Sequence, residues 1–153
     1  MPEPAEISAS PARAYFDSSA IAKQFLHEQG SERARALYRG HRVVSSLLAP
    51  LEAAAAFHRR LANREMTQSE YEGMLRRLAD DRSAWDLVSL EKDVLRRAEG
   101  LVRRSAIRAL DAIHVASAMF VTEAAGISLS FVTADARQRQ AAEASGLEVI
   151  WVA

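Results

Sequence analysis

Arg13-Ala-Tyr-Phe-Asp-Ser-Ser-Ala-Ile-Ala-Lys23 is the stretch that decides the fold. A short apolar run ends at an acid and two hydroxyl residues, and helix-forming residues follow at once. Strand and then helix start is the natural reading, because Asp and Ser side chains accept bonds from first-turn amides that have no partner in the helix. The helix is expected to continue from Ile21 to His27, with Gly30 stopping it.

The same alternation repeats outward along the chain. Ser31 to Tyr38 reads as a helix closed by Gly40, and His41 to Ser45 as a strand. Leu48 to Asn63 reads as an Ala-rich helix, with Pro50 tolerated in its first turn. Thr67-Gln-Ser-Glu70 is a capping box opening a helix to about Ala84. Trp85 to Ser89 reads as a third strand and Glu91 to Arg104 as a helix. Arg108 to Ala125 forms a long helix, apolar on nearly every side, which predicts burial. Leu129 to Thr133 is a strand, Asp135 to Ser145 a helix ended by Gly146, and Leu147 to Val152 a closing strand. No two-residue hairpin turn joins any pair of strands. The pattern predicts a three-layer α/β fold, a mostly parallel sheet of about five strands with helices on both faces. Ligands of such folds bind beyond the carboxyl ends of the strands.

Composition narrows the chemistry. A chain of 153 residues, 49% hydrophobic and 26% charged, suits one globular domain, here expected over residues 13–153. Residues 1–12, rich in Pro, Ala and Ser, read as a disordered N-terminal tail. They lack the basic start and apolar core of a signal peptide, so a cytoplasmic location is expected. No apolar stretch approaches the roughly 18–20 residues of a membrane span. Twenty basic and twenty acidic residues cancel, so a phosphate-rich partner would need a local patch or metal ions. The absence of Cys excludes disulfides, thiolate metal sites and Cys nucleophiles. Lys occurs only at 23 and 92. Arg is the better phosphate fork, although a compositional bias gives the same count.

Four acids stand out. Asp17 and Asp135 each follow a strand directly and so lie at the carboxyl edge; each is also read as an ordinary helix N-cap. Glu52 and Asp111 sit in early turns of apolar helices, where a lone carboxylate costs several kcal/mol unless compensated. A salt bridge to an Arg such as Arg108, or the helix dipole, would compensate either one. Together, however, the four face one edge of a parallel sheet, and their mutual repulsion is what a divalent cation relieves. Oxygen-only ligands suit Mg²⁺ or Mn²⁺. Ser18, Ser19 and Thr133 adjoin the strand-end acids as candidate supporting donors, and are equally read as turn hydroxyls. A Gly-x-Ser-x-Gly elbow, a Walker A loop, Gly-x-Gly-x-x-Gly and His-Glu-x-x-His are all missing. His114, one turn after Asp111, reads as a packed core residue.

These residues form a set that resembles a known family. Tyr15-Phe-Asp17-Ser-Ser-Ala-Ile-Ala-Lys23 resembles the first motif of PIN domains, and Ser45-Ser-Leu-Leu-Ala-Pro-Leu-Glu52 the second. Leu110-Asp-Ala-Ile-His-Val-Ala-Ser-Ala118 is similar to the third, and Phe131-Val-Thr-Ala-Asp135, with Ala141-Ala142 and Gly146-Leu-Glu-Val149, to the fourth and the closing strand. The match runs in order from about residue 13 to 152, and the VapC-like branch is the best fit. The resemblance implies an endoribonuclease dependent on Mg²⁺ or Mn²⁺, the toxin of a VapBC-like toxin–antitoxin pair. It implies Asp17 and Asp111 as the principal metal ligands, Asp135 contributing, and Glu52 holding metal or positioning the attacking water. It also implies a homodimer silenced by a cognate antitoxin.

RNA must also be gripped. Lys23 is the favoured residue, with Arg137, Arg139, Arg13 and Arg108 near the same edge by sequence. The helical pairs Arg59-Arg60, Arg76-Arg77, Arg96-Arg97 and Arg103-Arg104 read as solubility charges, since adjacent residues point differently. Trp85, Trp151, Tyr71 and the Phe residues follow core spacing. Apolar helix faces between Leu47 and Leu78 exceed what one small sheet needs and suggest a dimer or partner surface. Two rival readings remain. One is a PIN-fold nuclease of RNA processing or DNA cleavage. The other is a non-catalytic, receiver-like signalling module, which the Ser89 ending of the third strand and the lack of a base after Val152 disfavour.

Overall fold

Alternation along β1 (Arg13–Phe16) divides the core in two. In this computed structural model, which describes residues 10–153, Ala14 and Phe16 point into one hydrophobic cluster and Tyr15 into the other, as a strand buried on both faces requires. The helices follow that division. The first cluster is closed by α1 (Ser18–Phe25), α2 (Ser31–Gly40), α3 (Ala49–Ala62) and α4 (Gln68–Asp81). The second is closed by α5 (Lys92–Arg104), α6 (Ala109–Ala125) and α7 (Ala136–Ala144). Between them lie β1, β2 (Arg42–Ser46), β3 (Asp86–Val88), β4 (Ser130–Thr133) and β5 (Val149–Trp151), in the order β3-β2-β1-β4-β5. Every pairing among the described residues is parallel, with Tyr15 opposite Val44 on one side and Phe131 on the other.

This order places the site. The chain winds outward from β1 through β2 to β3, then returns to lay β4 on the other side of β1. The carboxyl ends of β1 and β4 therefore flank the point where strand order reverses, the crevice in which α/β sheets bind ligands. Asp17 and Asp135 follow those two strands. The Asp17 amide bonds the Val132 carbonyl across the crevice at 3.1 Å.

Several boundaries differ from the sequence reading for local reasons. Helix α1 ends at Phe25, where Leu26 turns extended, and Gly30 caps the start of α2. The intervening carbonyls are taken by side chains, Leu26 by Arg35 at 2.7 Å and Gln29 by Lys23 at 2.6 Å. Gly30 has φ +82°, and a Cβ there would lie 1.7 Å from the Val152 carbonyl oxygen. Helix α4 stops at Asp81 and passes into a 3-10 turn, Arg82–Ala84. The closing strand is shorter than expected, Val149–Trp151. Burial of α6 is confined to its middle, Ala112 and His114 to Ala118, while Leu110 is exposed. The expected tail over residues 1–12 lies, as far as residue 9, outside the described residues. Among the described residues no helix is long and apolar enough to cross a membrane.

Candidate functional site

Asp17 is fully buried, and both of its oxygens are engaged. Oδ1 accepts from the Ser19 hydroxyl at 2.6 Å and the Ala20 amide at 2.8 Å. Oδ2 accepts from the Thr133 hydroxyl at 2.5 Å. The residue is thus both the N-cap of α1 and the end of a hydroxyl network that crosses from β1 to β4. Thr133 Oγ1 in turn accepts from the Asp135 amide, and Ser19 Oγ from the Ala134 amide, both at 2.9 Å. Burial raises the Asp17 pKa above the ordinary carboxylate value; the nearby His114 and these donors work against the rise.

Asp135 caps α7 with Oδ1, which accepts from the Arg137 and Gln138 amides at 2.9 Å. Asp111, in the first turn of α6, accepts on Oδ1 from Gln138 Nε2 at 2.8 Å. Its pKa is raised, first by burial and then by the negative charge of Asp135. Glu52 lies in the first turn of α3, where Pro50 sits without disturbing the helix. The Ser18 hydroxyl donates to its Oε2 at 3.1 Å. On Oε1 it meets His114 Nε2 at 2.7 Å, while His114 Nδ1 faces the Tyr15 hydroxyl at 2.9 Å. The two ring nitrogens of His114 are thus each engaged, one by Tyr15 and one by Glu52. His114 is wholly buried. It therefore orients Glu52 from α6, across the layers, a link that its place on an apolar helix did not disclose.

Glu52, Asp111 and Asp135 line one cavity of about 800 Å³, together with Ser18, Ser19 and Gln138. Asp17 forms the support beneath it through Ser19. No Arg or Lys pairs with any of the four acids among the described residues, so the salt bridge considered for Asp111 does not form. Among the described residues, no three of His, Asp and Glu are gathered tightly enough to hold a metal ion as they stand. The donor chemistry nevertheless fits a hard divalent cation. The set is all oxygen, it carries no compensating cation, and the charges of Asp111 and Asp135 oppose each other. Gln138 adds an independent sign. It is 2% exposed, its amide nitrogen serves Asp111, and its Oε1 is buried without a partner in the described chain. A buried carbonyl in that state calls for a donor such as an ion's hydration water.

Lys23 lines the same cavity, but its ammonium is committed to Glu28 Oε1 at 3.0 Å and the Gln29 carbonyl. Arg59 and Arg60, taken by sequence as solubility charges, line it too. Counting from Glu52 would have found them. Positions seven and eight residues on return to the same face after two turns. Gln138 carries a similar signal, three residues after the strand-end Asp135. Arg13 lies elsewhere, 3.5 Å from Asp86, and Arg139 pairs with Glu143 and covers the Trp151 ring.

Comparison with known proteins agrees with this geometry. The model of the PIN domain family matches residues 14–144. Ribonuclease VapC45 and Ribonuclease VapC49, both of Mycobacterium tuberculosis, are each 36% identical to the chain over 136 residues, covering 88% of this chain and 92% of those proteins. The solved structure of VapBC-5, a member of the VapBC family of toxin–antitoxin systems from Mycobacterium tuberculosis, superposes with a TM-score of 0.57 at 18% identity. That superposition covers 93% of this chain and 100% of the other, and it speaks for the fold.

Proposed function

Since this chain belongs to the PIN-domain family, we propose that it is an endoribonuclease that hydrolyses RNA phosphodiester bonds with a divalent cation, as the toxin of a VapBC-like toxin–antitoxin pair. One observation carries the chemistry. Glu52, Asp111 and Asp135 line one cavity at the switch point of a parallel sheet, with Asp17 beneath it, and among the described residues none of the four pairs with Arg or Lys.

In this reading Asp17, Asp111 and Asp135 hold Mg²⁺ or Mn²⁺, with Glu52 beside them. When bound, the cation supplies Lewis acidity, polarising a phosphoryl oxygen and making water a stronger nucleophile near neutral pH. The rest is done by the chain. Ser19 and Thr133 fix Asp17 in one rotamer beneath the cavity. Gln138 holds one oxygen of Asp111 and leaves the other toward the cavity. His114 and Ser18 hold Glu52 where its carboxylate can orient the attacking water. The resting charge of the site repels a bare phosphate, so in the metal-free protein the hold on RNA falls to bases elsewhere in the cavity.

The partners follow from the same reading. An antitoxin restrains the enzyme in the cytoplasm, and the chain pairs as a homodimer. Leu47 and Leu51, 52% and 69% exposed beside an apolar groove on α3 and α4, are the surface offered to such a partner. The test is cleavage of RNA by the purified wild type and by Asp17→Asn, with and without Mg²⁺ or Mn²⁺. The wild type is expected to cut only with the ion, and the variant not at all. Equal cutting by both proteins defeats the proposal. The toxin role is tested separately, by growth arrest on induced expression and its relief by the neighbouring gene.

A further inference from the structure

We propose that Arg59 and Arg60 are the phosphate grip of the RNA strand, holding a phosphodiester away from the one being cut; the inference rests on the nuclease reading above. Glu52 lines the cavity with Asp111 and Asp135 at one end. Two turns further along α3 lie Arg59 and Arg60, joined in the lining by Lys23, Glu28 and Glu65, so that end is only slightly positive. Helix α3 supplies residues to both. Glu52 and Arg60 are eight residues apart, about 12 Å along the axis at 1.5 Å per residue. One phosphate cannot touch both ends, but a strand lying along the helix reaches both. Ala55 and Ala56 line the stretch between, so only methyl groups separate a bound backbone from the helix.

The charges at the basic end are held as a replaceable set. Arg60 Nη1 bonds Glu65 Oε2 at 2.8 Å, and its Nη2 bonds Glu28 Oε2. The side chains of Arg60 and Glu65 are 36% and 42% exposed, so this pair restrains the guanidinium weakly, while Glu28, 29% exposed and also bonded by Lys23, holds it more firmly. The two carboxylate oxygens on its fork stand where two oxygens of a phosphodiester would bind in bidentate fashion. Arg59 is exposed on the same wall and makes no ion pair among the described residues. Lys23 differs. Its side chain is 10% exposed and tied to the Gln29 carbonyl, so it anchors Glu28 and the loop after α1 and does not reach for substrate. Glu65 competes with the incoming phosphate for Nη1, and its neutralisation leaves Arg60 paired with Glu28 alone.

The experiment is a salt series of binding, by fluorescence anisotropy, to a labelled single-stranded oligoribonucleotide of mixed sequence in EDTA, where no cutting occurs. Arg59→Ala and Arg60→Ala are each expected to weaken binding about 5- to 10-fold and to lower the salt slope by roughly one ion. Arg60→Lys keeps the slope but loses part of the affinity, because a point charge replaces a fork. Glu65→Gln binds a few-fold tighter than wild type, which no loss of structure could produce. Arg96→Ala on the far helix α5 changes nothing. Wild-type affinity and slope in both Arg59→Ala and Arg60→Ala overturn the inference, as does an absence of RNA binding by the wild type. Loss of binding in these variants, with no cutting by the wild type in Mg²⁺ or Mn²⁺, leaves the grip standing and removes the nuclease.

Discussion

Asp17 and Asp86 are the same residue type at opposite ends of one sheet, and the fold treats them oppositely. Asp86, opening β3 at the amino edge, takes two bonds of 2.8 Å from Arg42 and has Arg13 at 3.5 Å. Its hydrogen bonds with Arg42 hold its pKa below the ordinary carboxylate value. Asp17, closing β1 at the carboxyl edge, is buried with only neutral donors around it, and burial pushes its pKa up. Asp111 nearby is raised as well, by burial and by Asp135. A chain with this many arginines had guanidinium groups to spare for these acids, yet among the described residues none pairs with them. Compensation at one edge and its lack at the other separate the acid that holds the structure from those we propose as cation ligands.

The largest expected consequence is in activity. Asp17→Asn should lower RNA cleavage more than about 100-fold, since supporting groups around metal ligands alone are worth roughly 10- to 100-fold. Asp86→Asn should leave the cleavage rate within experimental scatter. Equal losses would erase the distinction between the two edges. Next, Thr133→Val should lower cleavage about 10- to 100-fold. It should also destabilise the protein by about 1–3 kcal/mol, because Asp17 Oδ2 is left buried without its donor. Denaturant melts and initial rates on the same preparation read both effects.

Smaller effects concern stability alone. Asp111→Asn should raise the Tm of the metal-free protein by a few degrees while abolishing cleavage, because it removes repulsion from Asp135. A fall in Tm would mean that the carboxylate charge is compensated after all. Asp86→Asn should lower Tm slightly, and only in part of the pH range. The folded pKa of Asp86 is depressed, so its contribution is present above the unfolded value, near 3.8. That contribution is lost as pH falls through the lower folded value. The wild type and Asp86→Asn should therefore converge in stability in strong acid and separate above about pH 4.

Much of this was legible in the chain. Asp17 and Asp135 could be placed because local order, an apolar run, an acid and then helix formers, needs no tertiary information. The parallel sheet followed from helices lying between the strands. The rest depends on which faces meet. Gly30 reads as a helix stop, yet it stands at the start of α2 with a positive φ, where the Val152 carbonyl from the other end of the chain leaves no room for a Cβ. His114 reads as core and is core, but its partners, Tyr15 and Glu52, come from 99 and 62 residues away. Arg59 and Arg60 read as a solvated pair, while their register with Glu52, seven and eight residues back on α3, is the informative spacing. Gln138 was invisible because an amide draws attention only once its carbonyl is known to be buried and unpaired.

The most direct test is a calorimetric titration of Mn²⁺ into the RNA-free protein, comparing the wild type with Asp111→Asn, Asp135→Asn and Asp86→Asn. The wild type and Asp86→Asn should bind the ion alike, and the other two should lose most of that binding. Undiminished Mn²⁺ affinity in Asp111→Asn and Asp135→Asn would contradict the claim that the acids of the carboxyl edge exist to hold a divalent cation.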